Sequence, residues 1–150
     1  MPSEVLLVQG TSIRISETTV DVLDPTPLPT FASLDCIARE IQYQGGTTPE
    51  IDTTTLCSTA KEFRLGLEDS GTMTVTGHWK QGNPAHAVIR TASRDKQPRL
   101  IEVTFEDGSI FRALALVSQR SWSAAVDGVV SATYNFRLTG ETEEVDPSGA

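Results

Sequence analysis

The sequence predicts a mainly β, α+β fold. It should be an antiparallel β-sandwich or partly closed barrel with one flanking α-helix, a long inter-strand loop and extended termini. Three observations lead there. Thr, Ser and Val are plentiful, which suits pleated, half-buried strands. Short alternating segments are bounded by Gly, Pro and Asp-Gly pairs. A single segment, opened by Asn83-Pro84, shows convincing helical spacing. With 150 residues there is room for one domain and a real core. We read it as an N-terminal arm or strand with a Pro-rich connector (1–30), a β-sandwich body (31–140) and an acidic C-terminal tail (141–150).

The segment from Val5 to Val22 is β-prone, with Ile13, Ile15 and Val20 among Thr and Ser. Pro25, Pro27 and Pro29 then forbid helix and favour an extended connector, either an arm leaving the body or a surface loop. Phe31 to Gln44 reads as one long strand ending at Gly45-Gly46. Leu34, Cys36 and Ala38 would share one face and Ile37, Ile41 and Tyr43 the other, although Leu34, Ile37, Ala38 and Ile41 also fit a helix.

Thr47 to Gly71 has little periodicity and far exceeds the ~4–6 residues of a typical connection. Its Leu56, Phe63, Leu65 and Leu67 are too many for a solvated loop, so either the chain's own body or another subunit should cover them. Thr72 to Lys80 alternates, with Met73, Val75 and Trp79 on one side and Thr72, Thr74, Thr76 and His78 on the other.

Asn83 is a good N-cap and Pro84 suits the first helical position. Ala85, Val88, Ile89 and Ala92 form the apolar stripe of a helix spanning about 84–96, closed by Pro98. Arg99 to Phe105 and Ile110 to Ser118 should pair through the Asp107-Gly108 turn. Gly128 to Leu138 carries Val130, Ala132, Tyr134, Phe136 and Leu138 on one face, and Gly140 should release the acidic tail.

Net charge is −8, half of it in the last ten residues. That balance argues against nucleic-acid binding, which draws its affinity from Lys and Arg on phosphates. A surface that nucleic acid passes without sticking stays compatible with it. No run approaches the ~20 apolar residues of a bilayer span. The opening residues lack the basic region of a signal peptide, so synthesis and assembly in a cytoplasm are expected. Cys36 and Cys57 form no CxxC pair and read as small, partly buried thiols.

Constellations for catalysis are scarce. GxSxG, P-loop, GxGxxG and HExxH patterns are all missing. His78 and His86 fall on separate elements and read as structural or exposed. Glu68-Asp69 and Glu106-Asp107 sit in turns, where carboxylates are solvated rather than tuned for acid–base work. Trp79 and Trp122 read as core or interface anchors. We therefore expect no enzyme, no cofactor and no metal.

The stretch EIDTTTLCSTAKEFRLGLEDSGTMTVTGHW (Glu50 to Trp79) resembles the tail tube proteins, or major tail proteins, of long-tailed siphophages. The Asp-Thr-Thr-Thr run, Lys61-Glu62-Phe63, Gly66-Leu67-Glu68-Asp69 and Gly71 before a Thr-rich strand carry the match. The helix, the Asp107-Gly108 turn and the closing Leu138-Thr139-Gly140 follow in the same order, so the likeness covers roughly 10–140.

The resemblance implies a structural virion protein of the tail. Six copies would form a ring, and stacked rings would form a hollow tube for DNA. It would be assembled in the host bacterial cytoplasm. It implies partners as well: further copies of itself, tail tip or initiator, tape measure and tail terminator proteins, with DNA passing unbound and no membrane insertion of this chain. The long loop and the termini would hold ring to ring. On this chain the loop matches Thr53 to Gly71, making Asp52, Thr54, Leu56, Phe63, Leu65, Leu67, Glu68 and Asp69 the assembly residues. The loop would order on joining a growing tube and bury its apolar side chains there. Glu40, Gln42, Glu102 and Thr104 are the expected lumen positions, as polar residues on strands. Two other readings remain at this stage: the inner tube of a contractile tail or secretion system, and a monomeric carbohydrate- or ligand-binding β-sandwich using Trp79 or Trp122.

Overall fold

The computed structural model describes residues 10–146 apart from 24, 26 and 127. The first nine residues of the expected arm and the last four of the expected tail lie outside them. Among the described residues nine strands and one helix follow in the order β1 (Ser12–Ser16), β2 (Phe31–Ser33), β3 (Ala38–Gln44), β4 (Glu50–Asp52), β5 (Phe63–Leu65), β6 (Thr72–His78), α1 (Pro84–Asp95), β7 (Arg99–Thr104), β8 (Ile110–Ser123) and β9 (Ser131–Val145). Seven strands make one antiparallel sheet in the order β2-β1-β7-β8-β9-β6-β3, while β4 and β5 form a separate hairpin.

The expected strand from Phe31 to Gln44 is two strands on opposite edges of that sheet. Between them runs a turn in which the Ile37 and Ala38 amides both donate to the Leu34 carbonyl. Its helix-like bonding explains why strand and helix spacing competed in the sequence. Laid flat, seven strands would be about 29 Å across. Five Cα–Cα steps between Ser33 and Ala38 reach about 19 Å at most. The sheet must therefore curl until its edges nearly meet, giving a partly closed barrel without a closing ladder. The turn bridges the gap. Leu34 N donates to Ile13 O at 2.9 Å on one side, and His78 N donates to Ile37 O at 2.8 Å on the other.

The concave face holds the main core, including Ile13, Ile15, Met73, Val75, Ile101, Val103, Tyr134 and Phe136. Alternation in β6 is as expected, with Met73, Val75 and Gly77 inward. Helix α1 covers one end of this core with Ala85, Ile89 and Ala92. Asn83 Oδ1 accepts the Ala85 amide, capping the helix as its sequence suggests, and Lys96 ends it in the left-handed region. His86, read as structural or exposed, is fully buried beside them; its Nδ1 lies 2.9 Å from the Tyr134 hydroxyl.

On the convex face, Val20, Leu100 and Leu114 form a smaller cluster with Leu23 and Phe31. The Pro-rich segment thus folds back on the body instead of leaving it, and the Glu17 amide donates to Thr30 O where the segment rejoins β2. The last strand also departs from expectation. It continues through Gly140 to Val145, and Glu143, Glu144 and Val145 pair with Arg112, Phe111 and Ile110. A register shift between Arg112 and Leu114 accommodates Gly140 at φ 72°, so this glycine makes a bulge rather than a strand end.

Candidate assembly site

The hairpin β4–β5 occupies the segment that looked too long and too apolar to stand alone. All six of its strand residues are exposed. Phe63 and Leu65 stand on one face of β5, opposite Asp52 and Glu50, and Leu67 extends that row. Their exposures are 53%, 69% and 93%, and Leu56 near the tip is fully exposed. Ile51, which sequence reasoning passed over, is exposed on the other face beside Arg64.

The Asp-Thr-Thr-Thr run builds the tip. Asp52 Oδ1 accepts the Thr54 amide, and Thr54 Oγ1 accepts the Glu62 amide across the turn. The Thr54 hydrogen bond holds the Asp52 carboxyl below its ordinary pKa. Ser58 adds bonds to Thr55 and Glu62. Polar groups shape this hairpin, and its apolar side chains are what lack cover.

The foot is fixed to the body. Asp69 accepts from Arg137 Nη2 at 2.7 Å and from the Gly71 amide at 2.9 Å, and both contacts push its pKa down, the Arg137 bond most. Ser70 Oγ donates to Gly140 O, and the Tyr43 hydroxyl donates to Ser70 O. A Cβ on Gly71 would stand 2.1 Å from Gln44 O, and Gly71 has φ 93°, so only glycine fits. Arg137 and Tyr43 carry this arrangement and were missed, because nothing local in the sequence links residues so far apart. Glu68 is exposed beside Asp69.

The four expected lumen positions share the convex face but not a neighbourhood. Glu40 and Gln42 are exposed on the edge strand β3, beside Thr76 and Thr74. Glu102 and Thr104 lie four strands away on β7. Glu102 is corrected from an expected exposed carboxylate: it is buried and clamped by Arg14 and Arg112, each with an Nε 3.0 Å from one of its oxygens. Thr104 is half-buried.

The cysteines are a further correction. Both are exposed, Cys36 in the turn between β2 and β3 and Cys57 near the hairpin tip. Trp79 packs on the core, whereas Trp122 is exposed with Val126, Val129 and Val130 around the β8–β9 connection. Among the described residues no cluster of three or more His, Cys, Asp or Glu is placed to hold a metal, and no helix is long and apolar enough to cross a membrane.

Comparison with known proteins gives a consistent result. The family model described as phage tail tube, TTP, lambda-like, matches residues 7–134. The fold is similar to the tail of an empty gene transfer agent particle refined with C6 symmetry. That likeness has TM-score 0.69 and 15% identity, and covers 95% of this chain and 100% of that one. It is also similar to the SPP1 tail tube, with TM-score 0.63 and 14% identity over 94% of this chain and 79% of that one. A chain of the six-fold symmetrised anti-feeding prophage baseplate aligns at TM-score 0.61 and 9% identity, covering 99% and 98% of the two. No curated protein sequence matches this one. With the family model spanning most of its length and a fold shared with tail tubes, the chain belongs to the lambda-like phage tail tube proteins, structural proteins of the virion tail.

Proposed function

We propose that six copies of this chain form a ring and that rings stack into the hollow tube through which phage DNA is ejected. The exposed apolar row Phe63, Leu65 and Leu67 on a pinned hairpin carries this reading. A monomer has no use for such a row, and covering it in an assembly contributes about 1.5–3 kcal/mol per side chain at full burial. The six-fold symmetry of the similar gene transfer agent tail supports the ring. Leu56 extends the contact, Asp52 and Thr54 hold the tip, and Glu68 and Asp69 belong to the foot.

Further partners are a tail tip or initiator, a tape measure protein and a tail terminator, with assembly in the host bacterial cytoplasm. DNA passes without specific binding. The net charge of −8 supports this. So does the convex strip where Glu40 and Gln42 adjoin Thr74, Thr76, Thr133 and Asn135, a surface of hydroxyls and amides. Arg137 on that face is already held by Asp69. Glu40 and Gln42 remain the lumen positions of this account, and Glu102 is set aside.

The test is sedimentation of the chain carrying Phe63→Ser, Leu65→Ser and Leu67→Ser. We expect a folded subunit that no longer pellets as tubes, and unchanged assembly would overturn the reading. The contractile-tube alternative shares this fold and this test. A monomeric ligand-binding role would need an occupied concave site and no polymerisation.

A further inference from the structure

Helix α1 covers one end of the curled sheet, and the other end is open. There a cleft of about 450 Å³ has Ile13, Ile41, Tyr43, Met73, Val103 and Phe111 in its walls. Tyr43 is 44% exposed and leans on Phe111, their ring centroids 4.7 Å apart, so the cleft carries the main core out to the surface. Thr11, one of the first residues described, lines the same cleft.

We propose that this cleft is the docking site of the chain's own Val5–Val8 segment, which closes the end of the core that α1 leaves uncovered. The inference does not depend on the assembly reading above.

Reach favours this occupant first. The sequence leading into Thr11 is Val5-Leu6-Leu7-Val8-Gln9-Gly10. Val8 lies three residues from the lining and can be no more than about 11 Å from it, and Val5 no more than about 22 Å. Gly10 has φ 93°, an angle that lets the chain change direction beside the cleft and that other residues rarely adopt.

Size and charge agree. Packed at interior density, roughly three residues of Val or Leu size fill the cleft. The charged residues around it are of both signs, Asp35 and Glu40 against Arg39, and Asp35 already accepts from the Ser12 hydroxyl and the Ile13 amide. Such a lining selects neither an anion nor a cation, and an ion placed on the apolar walls would lose hydration without a partner. Four consecutive uncharged aliphatic residues suit it. A tether of two residues also gives the segment an effective concentration on the order of millimolar, far above that of the same segment on another dissolved copy.

A chain with Cys36→Ser, Cys57→Ser, Ser3→Cys and Arg39→Cys tests this, because both new thiols lie outside the apolar run. Treated with a short bis-maleimide while dilute and dispersed, it should cross-link within one chain, at monomer mass. Adding Leu6→Ser and Leu7→Ser should remove most of that product. A yield that those two changes leave intact would overturn the proposal, and so would cross-linking chiefly between chains. Hydrogen exchange on the unmodified protein covers the case in which a variant fails to fold. The amides of Leu6 to Val8 should exchange at least about tenfold slower than in an unfolded chain, equally at low and high protein concentration. Exchange at the unfolded rate, or protection that appears only as concentration rises, would overturn docking within the chain.

Discussion

Arg137 Nη2 lies 2.7 Å from Asp69 Oδ2, tying the longest strand to the foot of the hairpin. Both side chains are partly exposed and screened by solvent, so the pair itself adds little to stability. Its effect is positional: it fixes the direction in which the apolar row is presented. Arg137→Ala should leave the subunit's melting temperature nearly unchanged while slowing tube growth, as turbidity would report. An equal loss of both would mean that Arg137 serves the fold alone.

The same pair sets an acid limit. Arg137, and secondarily the Gly71 amide, lower the Asp69 pKa from its ordinary 3.8. The contribution of a depressed carboxylate is complete above its unfolded pKa and is lost as pH falls through the lower folded one. Hairpin anchoring should therefore persist at pH 5, and Asp69→Asn should weaken it there while changing little once acid has protonated Asp69. Hydrogen exchange at the Gly71 amide, compared between the two proteins, checks this.

Gly77 allows the two sheet edges to meet. A Cβ there would lie 1.9 Å from Ile37 O, the carbonyl that takes the His78 amide. Gly77→Ala should cost about 3 kcal/mol or more, seen as a large drop in melting temperature. A drop of only a degree or two would show that the turn can shift without penalty.

Glu102 stands between Arg14 and Arg112, and its side chain is only 5% exposed. Glu102→Ala removes the carboxylate that both guanidinium groups share; Arg14 and Arg112 stay partly solvated and Arg112 keeps Glu143, so the cost is about 1–3 kcal/mol. Denaturant unfolding should show that loss.

His86 is buried against Tyr134, and burial first, then Arg90 and Arg120, lower its pKa from 6.5. A base with a depressed folded pKa contributes fully above its unfolded pKa. That contribution is lost as pH falls below about 6.5, because the unfolded chain takes up the proton first. The melting temperature should fall between pH 7 and pH 5, and His86→Phe should flatten that slope. A slope that survives the substitution would place the acid sensitivity elsewhere.

Local chemistry made the helix legible: Asn83 caps it, Pro84 opens it, and Ala85, Ile89 and Ala92 face the core. The alternation of β6 and the Asp107-Gly108 turn were equally open to reading, since each is decided within a few residues. The features that went unread depend on distant partners. β9 runs past Gly140 because Ile110, Phe111 and Arg112 wait there to pair, and an acidic stretch after a glycine gives no sign of it. β4 and β5 are three residues each, too short to show a period, so the hairpin looked like a loop. Of the candidate site, the excess of apolar residues between Leu56 and Leu67 could be seen in the sequence. The anchoring of its foot by Arg137 could not, because only the sheet register brings Arg137 to Asp69.

The most direct test of the central claim is negative-stain electron microscopy of the purified chain at high concentration, with and without preformed tube fragments as seeds. The account predicts hollow tubes, six-fold in end view, that lengthen from the seeds. A chain that stays dispersed as monomers under both conditions would contradict it.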